Sequence, residues 1–166
     1  MQKADAGTDI HDILERHIKG LRVPDEHLPM CHAVVDLLNE KCGEGVGWIS
    51  EKRFCNTDYG YAGMCDLHDE EGKWVVDFKT KDEVTPKTRG FPEQAEQLAA
   101  YANGLGAPNA RLANIFISRS NPTDVAFFEH KDDMAWLRFT HTLQLWQVTK
   151  KFGPYYDLLM ETREAA

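Results

Sequence analysis

Asp66 is followed eleven residues later by Asp77-Phe78-Lys79, two carboxylates and an ammonium in a stretch that reads as strand, turn, strand. Strand side chains alternate, so Asp77 and Lys79 share one face while Trp74, Val76 and Phe78 share the other. The face of Asp66 depends on the turn. A two-residue hairpin at Glu71-Gly72 pairs position 66 with 77, and a four-residue loop of Asp69 to Gly72 pairs it with 75; both put Asp66 on the Asp77 and Lys79 face, whereas a three-residue loop reverses it. Paired carboxylates beside an apolar wall suit a hard divalent cation, and Mg²⁺ takes one or two of them while keeping water and substrate phosphate as its other ligands. A lysine there would hold or deprotonate an attacking water, or stabilise charge at phosphorus. An isolated Asp-x-Lys on a strand is most often a surface ion pair, so the surrounding elements decide between the two.

Those elements follow from hydrophobic period. Ile10, Ile13, Leu14, Ile18 and Leu21 recur at helical spacing, with Thr8 or Asp9 as cap and Gly20 as stop. A second helix is expected over Glu26 to Lys41, ending at Gly43, with Met30, Val34, Leu37 and Leu38 on one face. Three short strands then read at Trp48 to Phe54, Tyr59 to His68 and Lys73 to Lys79. Ala95, Leu98, Ala99 and Ala102 give a helix from Pro92 to Leu105, since proline fits a first turn. Strands follow at Ala110 to Ser118 and Asp124 to Glu129. Met134, Leu137, Phe139, Leu143, Leu145 and Trp146 make a strongly apolar helix, and Gly153-Pro154 separates it from a short last one. The aromatic run Trp136, Phe139, Trp146, Phe152, Tyr155 and Tyr156 reads as core of these C-terminal helices. The chain is expected to form a single α/β domain over 1–166, with a motif-bearing core at about 7–130 and C-terminal helices over 131–164.

Composition narrows the function classes. At 166 residues, with 42% hydrophobic and 28% charged, the chain can bury one core and is not disordered by default. Its apolar runs fall far short of the roughly 18 residues that span a bilayer, and no signal peptide is visible, so a soluble cytoplasmic protein with no membrane partner is expected. Cys31, Cys42, Cys55 and Cys65 lack a C-x-x-C pair and read as reduced thiols. The net charge of −8 argues against coating nucleic acid by bulk charge. Residues 73–119 are the exception, with 7 basic against 5 acidic side chains: Lys73, Lys79, Lys81, Lys87, Arg89, Arg111 and Arg119 mark where a polyanion would approach.

Five ordered pieces extend the acidic pair: Gly7-x-x-x-His11-x-x-Leu14-Glu15 on the leading helix, Glu51 on the first strand, Gly63-x-x-Asp66 on the second, Asp77-x-Lys79-Thr80 on the third, and Gln97-x-x-x-Tyr101 on the next helix. With these motifs, over about residues 7–118, the sequence resembles the PD-(D/E)xK phosphodiesterase superfamily, in particular its RecB-like exonuclease branch. The resemblance implies a restriction-endonuclease-like αβββαβ core, a mixed central sheet flanked by helices, with extra C-terminal helices here. It implies that Asp66 and Asp77 bind a catalytic Mg²⁺ or Mn²⁺, with His11 and the backbone carbonyl of Phe78 as further ligands. Lys79 would be the catalytic lysine, and Glu51 would hold a metal-bound water or a second metal. Gln97 and Tyr101 would contact the DNA backbone or brace the site, and the Thr80 hydroxyl would serve locally. His68, close to Asp66 in sequence, is the other histidine to watch. No cysteine follows Cys65, so the iron–sulfur cluster of some members is not expected.

The implied function is a metal-dependent DNA nuclease acting from ends in replication, recombination or DNA processing, with a phage origin among the expectations. Linear DNA, single- or double-stranded, is the expected partner, and the acidic surface brings in a protein partner or a homo-oligomer. The alternative is a catalytically inactive module that keeps the nuclease fold to bind nucleic acid or scaffold a partner.

Overall fold

The computed structural model describes residues 2–164, with side chains from Ile10 onward. The order is α1 (Gln2–Ile18), a 3-10 turn (Asp25–His27), α2 (Leu28–Cys42), β1 (Trp48–Asn56), β2 (Tyr61–Asp69), β3 (Trp74–Lys81), α3 (Pro92–Gly104), β4 (Arg111–Ser118), β5 (Val125–His130), α4 (Ala135–Lys150) and α5 (Pro154–Glu164). The five strands form one sheet in the order β1-β2-β3-β4-β5. β3 and β4 run parallel, and the other neighbours are antiparallel. The protein is therefore α/β, a mixed sheet flanked by helices.

Both faces of the central strands are covered, which is why β3 and β4 read as nearly continuous apolar runs. On one face Trp74, Val76 and Phe78 of β3 and Ala113, Ile115 and Ile117 of β4 pack against Ile10 and Leu14 of α1 and Met30, Val34 and Leu38 of α2. On the other, Val75 packs with Cys65 and with Leu98 and Ala102 of α3. Full burial of a side chain such as Leu14 or Leu98 contributes about 1.5–3 kcal/mol. The helix α4 lies outside α3, where Trp136 packs near Ala95, Ala99 and Ala135. Cys31 and Cys65 are buried, Cys42 half-buried and Cys55 exposed, all as free thiols.

Local chemistry shifts several boundaries. α1 begins at Gln2, so Thr8 and Asp9 lie inside the helix instead of capping it. Pro29 near the start of α2 leaves Asp25–His27 as a separate 3-10 turn where a continuous helix was expected. Tyr59 belongs to the β1–β2 turn, where its N–H donates to Asn56 Oδ1 (3.1 Å). Lys73 belongs to the next turn. There the buried Asp69 carboxylate accepts from the N–H groups of Lys73 (2.6 Å) and Trp74 (3.1 Å), which sets a loop over 70–73. The resulting register, Leu67↔Val76 and His68↔Val75, is the one that aligns position 66 with 77. Trp146 and Phe152 are exposed, 48% and 67%, and are not core.

Candidate active site

The site opens where β2 and β3 part. Their ladder holds Leu67↔Val76 and His68↔Val75. One step further on, the Phe78 N–H donates to Asp66 Oδ2 at 2.9 Å, a side-chain acceptor in place of a strand carbonyl. Asp66 is thereby fixed at the fork. His11 reaches it from α1, its Nδ1 3.3 Å from Asp66 Oδ2 and its ring edge-on to Phe78 at 5.9 Å. Helical spacing explains the reach, since Ile10 and Leu14 anchor α1 on the sheet and turn His11 towards the strand ends.

On β3, Asp77 is 3% exposed and its Oδ2 lies 2.6 Å from Lys79 Nζ. The lysine also donates to Gln97 Oε1 (3.0 Å), and Gln97 Nε2 donates to the Tyr101 hydroxyl (2.5 Å). One helical turn separates Gln97 from Tyr101, so both project from one side of α3. In this geometry the two side chains form one hydrogen-bonded chain that ends on the Lys79 ammonium.

Two residues that the sequence reading did not single out complete the cluster. Asn114, in register with Asp77 on β4, donates Nδ2 to Asp77 Oδ2 (2.9 Å) and to its carbonyl (3.1 Å). Its own Oδ1 lies 2.7 Å from His130 Nε2 at the end of β5. Burial holds the His130 imidazole below its ordinary value, against the pull of Asp132, which favours a neutral ring. A neutral ring protonated on Nε2 donates to Asn114 Oδ1 and so fixes the amide with its donor towards Asp77. The signal in the sequence was a lone amide inside the apolar run Leu112-Ala113-Asn114-Ile115-Phe116.

Electrostatics match this crowding. Burial, and then the charge of Asp66, push the Asp77 carboxyl up to about 6 against the opposing pull of Lys79 and His11. For His11, burial favours the neutral ring, yet the hydrogen bond and charge of Asp66 and the charge of Asp77 hold it above its ordinary value. Two carboxylates and an imidazole around one fork are a donor set that fits a divalent cation, which would relieve the repulsion between Asp66 and Asp77. Among the described residues no three His, Cys, Asp or Glu side chains are already gathered as a cage. The hydrogen-bonded pairs His11–Asp66 and Asp77–Lys79 stand there instead.

The remaining expected site residues lie around this centre. Glu51 falls between Ser50↔Leu67 and Lys52↔Cys65, which sets it across from Asp66. Its backbone is left-handed, with φ 50°, an uncommon conformation for a side-chain-bearing residue. The exposed side chain faces Glu15 of α1; partial desolvation and the Glu15 carboxylate hold its acid above the usual range. Thr80 Oγ1 accepts from Arg119 Nη1 (2.9 Å), a local use of the hydroxyl. His68 hydrogen-bonds the Asp69 carbonyl (2.9 Å), at the turn end of β2.

The basic residues divide between the two ends of the parallel strands. Lys73 and Arg111, at the starts of β3 and β4, pair with Glu71 and Glu129. Lys81 and Arg119 stand at the other end, with Lys87 and Arg89 in the loop that follows β3. Lys81 Nζ sits over the Phe91 and Phe116 rings (5.1 and 4.4 Å), and Arg119 pairs with Asp82. This is the end where Lys79 emerges. No helix among the described residues is long and apolar enough to cross a membrane. No protein-family model and no curated protein matches the chain.

Proposed function

We propose that the protein is a metal-dependent DNA nuclease, an exonuclease of the PD-(D/E)xK superfamily built on a restriction-endonuclease-like core. The single observation that carries this reading is the convergence of Asp66, Asp77 and Lys79 at the fork between β2 and β3, with His11 beside Asp66. The α-β-β-β-α-β order around it and the ordered motifs that resemble the RecB-like branch support it.

Asp66, Asp77, His11 and the Phe78 carbonyl would hold Mg²⁺ or Mn²⁺. When bound, the cation supplies a more acidic water and neutralises charge on the phosphate. Lys79, held by Gln97 and Asp77, would donate to the attacking water or to a phosphate oxygen as negative charge grows there. Asn114 keeps Asp77 from rotating, and Tyr101 keeps Gln97 from rotating. Lys81, Lys87, Arg89 and Arg119, at the same end of the sheet, would receive the DNA backbone.

The test is end-labelled linear single- and double-stranded DNA incubated with wild type and with Asp77→Ala, in Mg²⁺, Mn²⁺ or chelator, beside a closed circular control. Metal-dependent loss of linear DNA by wild type alone, sparing the circle, is the expected result. No cleavage under any condition, with DNA still bound, would replace this reading with the inactive binding module.

A further inference from the structure

The Gln97–Tyr101 pair that reaches Lys79 also borders a second space. A pocket of about 360 Å³ opens between the β1–β2 hairpin, α3 and α4, with Gln97 and Tyr101 in its lining. Four half-buried aromatic rings wall it: Phe54 of β1, Tyr61 of β2, Tyr101 of α3 and Phe139 of α4. They lock one another edge to face, Phe54 against Tyr61 and Tyr101 (5.9 Å each) and Tyr61 against Phe139 (5.0 Å), so the walls stand formed before anything enters. Phe54 is seated where only glycine fits. A β-carbon on Gly63 would lie 2.8 Å from its Cζ, and one on Gly104 would overlap its Cε2.

We propose that this pocket takes one unpaired nucleobase of a single-stranded DNA substrate, the base beside the phosphate that faces Lys79; the inference rests on the nuclease reading. Continuity with the site is the first argument. Lys79 Nζ, the Gln97 amide and the Tyr101 hydroxyl form one hydrogen-bonded line (3.0 and 2.5 Å), so a phosphate at the ammonium has its own base within reach of the Tyr101 ring. That phenol stands close to the fork: burial, then the charges of Asp77 and Asp66, hold it above its ordinary value against the Gln97 hydrogen bond. The chemistry of the lining is the second argument. Flat rings stack on the π-face of any base, which suits binding without regard to sequence. Among the described residues no lysine or arginine lines the pocket, and its rim carries the exposed Glu93 and Glu96, which Arg138 holds at 2.7 Å. Such a rim turns a phosphate away, while carboxylates accept from the N–H groups of a base. The volume is at the small end of ligand pockets, about 300–1,000 Å³, which suits a single base. A base inside a duplex has both faces covered by its neighbours, so an unpaired strand or frayed end is what can reach in. Net charge adds a reason. At −8 the protein gains little from phosphate contacts alone, so contacts with the base have to supply more of the affinity.

Binding is measured first without cleavage, by anisotropy of labelled single-stranded oligothymidine in Ca²⁺ and in chelator at one salt concentration, against the same chain with every base removed and against a blunt duplex. Oligothymidine is expected to bind wild type about tenfold tighter than either. Phe139→Leu keeps the bulk of one wall and removes its flat ring. With circular dichroism equal to wild type, it should bind oligothymidine several-fold more weakly and the abasic chain unchanged. Digestion of an end-labelled strand in Mn²⁺ then places the base: a single abasic residue should slow the bond beside it about tenfold and leave the other bonds alone. Equal binding of oligothymidine and the abasic chain by wild type overturns the inference, and so does a wild type that binds neither. A duplex bound as tightly as the single strand, a base preference untouched by Phe139→Leu, or digestion with no pause at the abasic residue overturns it too. The two readings fail separately. Cleavage without base preference removes the pocket and keeps the nuclease, whereas a base preference that Phe139→Leu reduces, without cleavage in any metal, keeps the pocket and removes the nuclease.

Discussion

Asn114 holds Asp77 at two points, donating one amide group to both the Oδ2 (2.9 Å) and the main-chain carbonyl (3.1 Å) of the aspartate beside it. A buried carboxylate needs such donors, because leaving a polar group unpaired costs about 1–3 kcal/mol. Asn114→Ala should therefore lower stability by about that amount in urea unfolding and lower cleavage at least tenfold. Asn114→Asp should be worse on both counts, since it adds a second negative charge beside Asp77. An Asn114→Ala protein as stable and active as wild type would remove Asn114 from the site.

Asp77→Ala and Lys79→Ala remove the two groups that the proposed function sets closest to the phosphate. Each should reduce DNA cleavage about 10²–10⁴-fold. Gln97→Ala, which only frees the lysine, should lose less, about tenfold, and Gln97→Glu should retain more activity than Gln97→Ala because a carboxylate still accepts from Lys79. Rates on end-labelled DNA, with circular dichroism as the check on folding, measure all four.

The raised Asp77 carboxyl gives a pH dependence with a definite sign. Below about 6 the group is protonated in the metal-free protein, so cation binding and cleavage should rise as pH increases through 6. Stability runs the other way. The folded state binds more protons than the unfolded chain between an ordinary value of 3.8 and about 6, so metal-free protein should lose stability as pH rises over that window. Asp77→Asn should flatten that slope. His11, also held above its ordinary value, must give up a proton if it takes a cation, so adding Mn²⁺ to weakly buffered protein near pH 6 should acidify the solution.

Gly90 tests whether the loop after β3 communicates with the site. A β-carbon there would lie 2.5 Å from His130 Cε1 and 2.8 Å from Nε2, pushing the ring off Asn114. Gly90→Ala should thus cut cleavage several-fold at a stability cost of about 1–3 kcal/mol, the usual range for overpacking. Cleavage equal to wild type would show that His130 can move without disturbing Asp77.

The alternation along residues 74–79 was enough to put Asp77 and Lys79 together and to send Trp74, Val76 and Phe78 to the opposite core, because period two leaves one arrangement for a covered sheet. The turn was harder to read. Asp69 takes two main-chain N–H groups and so lengthens the loop to four residues while keeping 66 aligned with 77, a choice made by one carboxylate. Asn114 stood out as a lone amide in an apolar run, but its partners did not. It meets Asp77 through the β3–β4 pairing and His130, 16 residues on, through the β4–β5 pairing, and no local pattern encodes either. Trp146 and Phe152 misled in the opposite direction, since their type says core and only the placement of α3 and α5 shows that nothing described encloses them.

The parallel pairing of β3 with β4 sets an order on folding. β1, β2 and β3 meet through neighbouring turns, whereas β4 joins only after the α3 crossover has been traversed, a slower event because the loop it closes is longer. Asp77 and Lys79, two residues apart on one strand, need no crossover to meet, whereas the Asn114 amide reaches Asp77 only through it. A nascent chain that ends before β4 carries the acid–lysine pair without the Asn114 amide beside it, so under the proposed function cleavage should appear no earlier in refolding than the β3–β4 pairing. Substitutions in the β3–β4 contact should slow folding and the gain of activity in equal proportion.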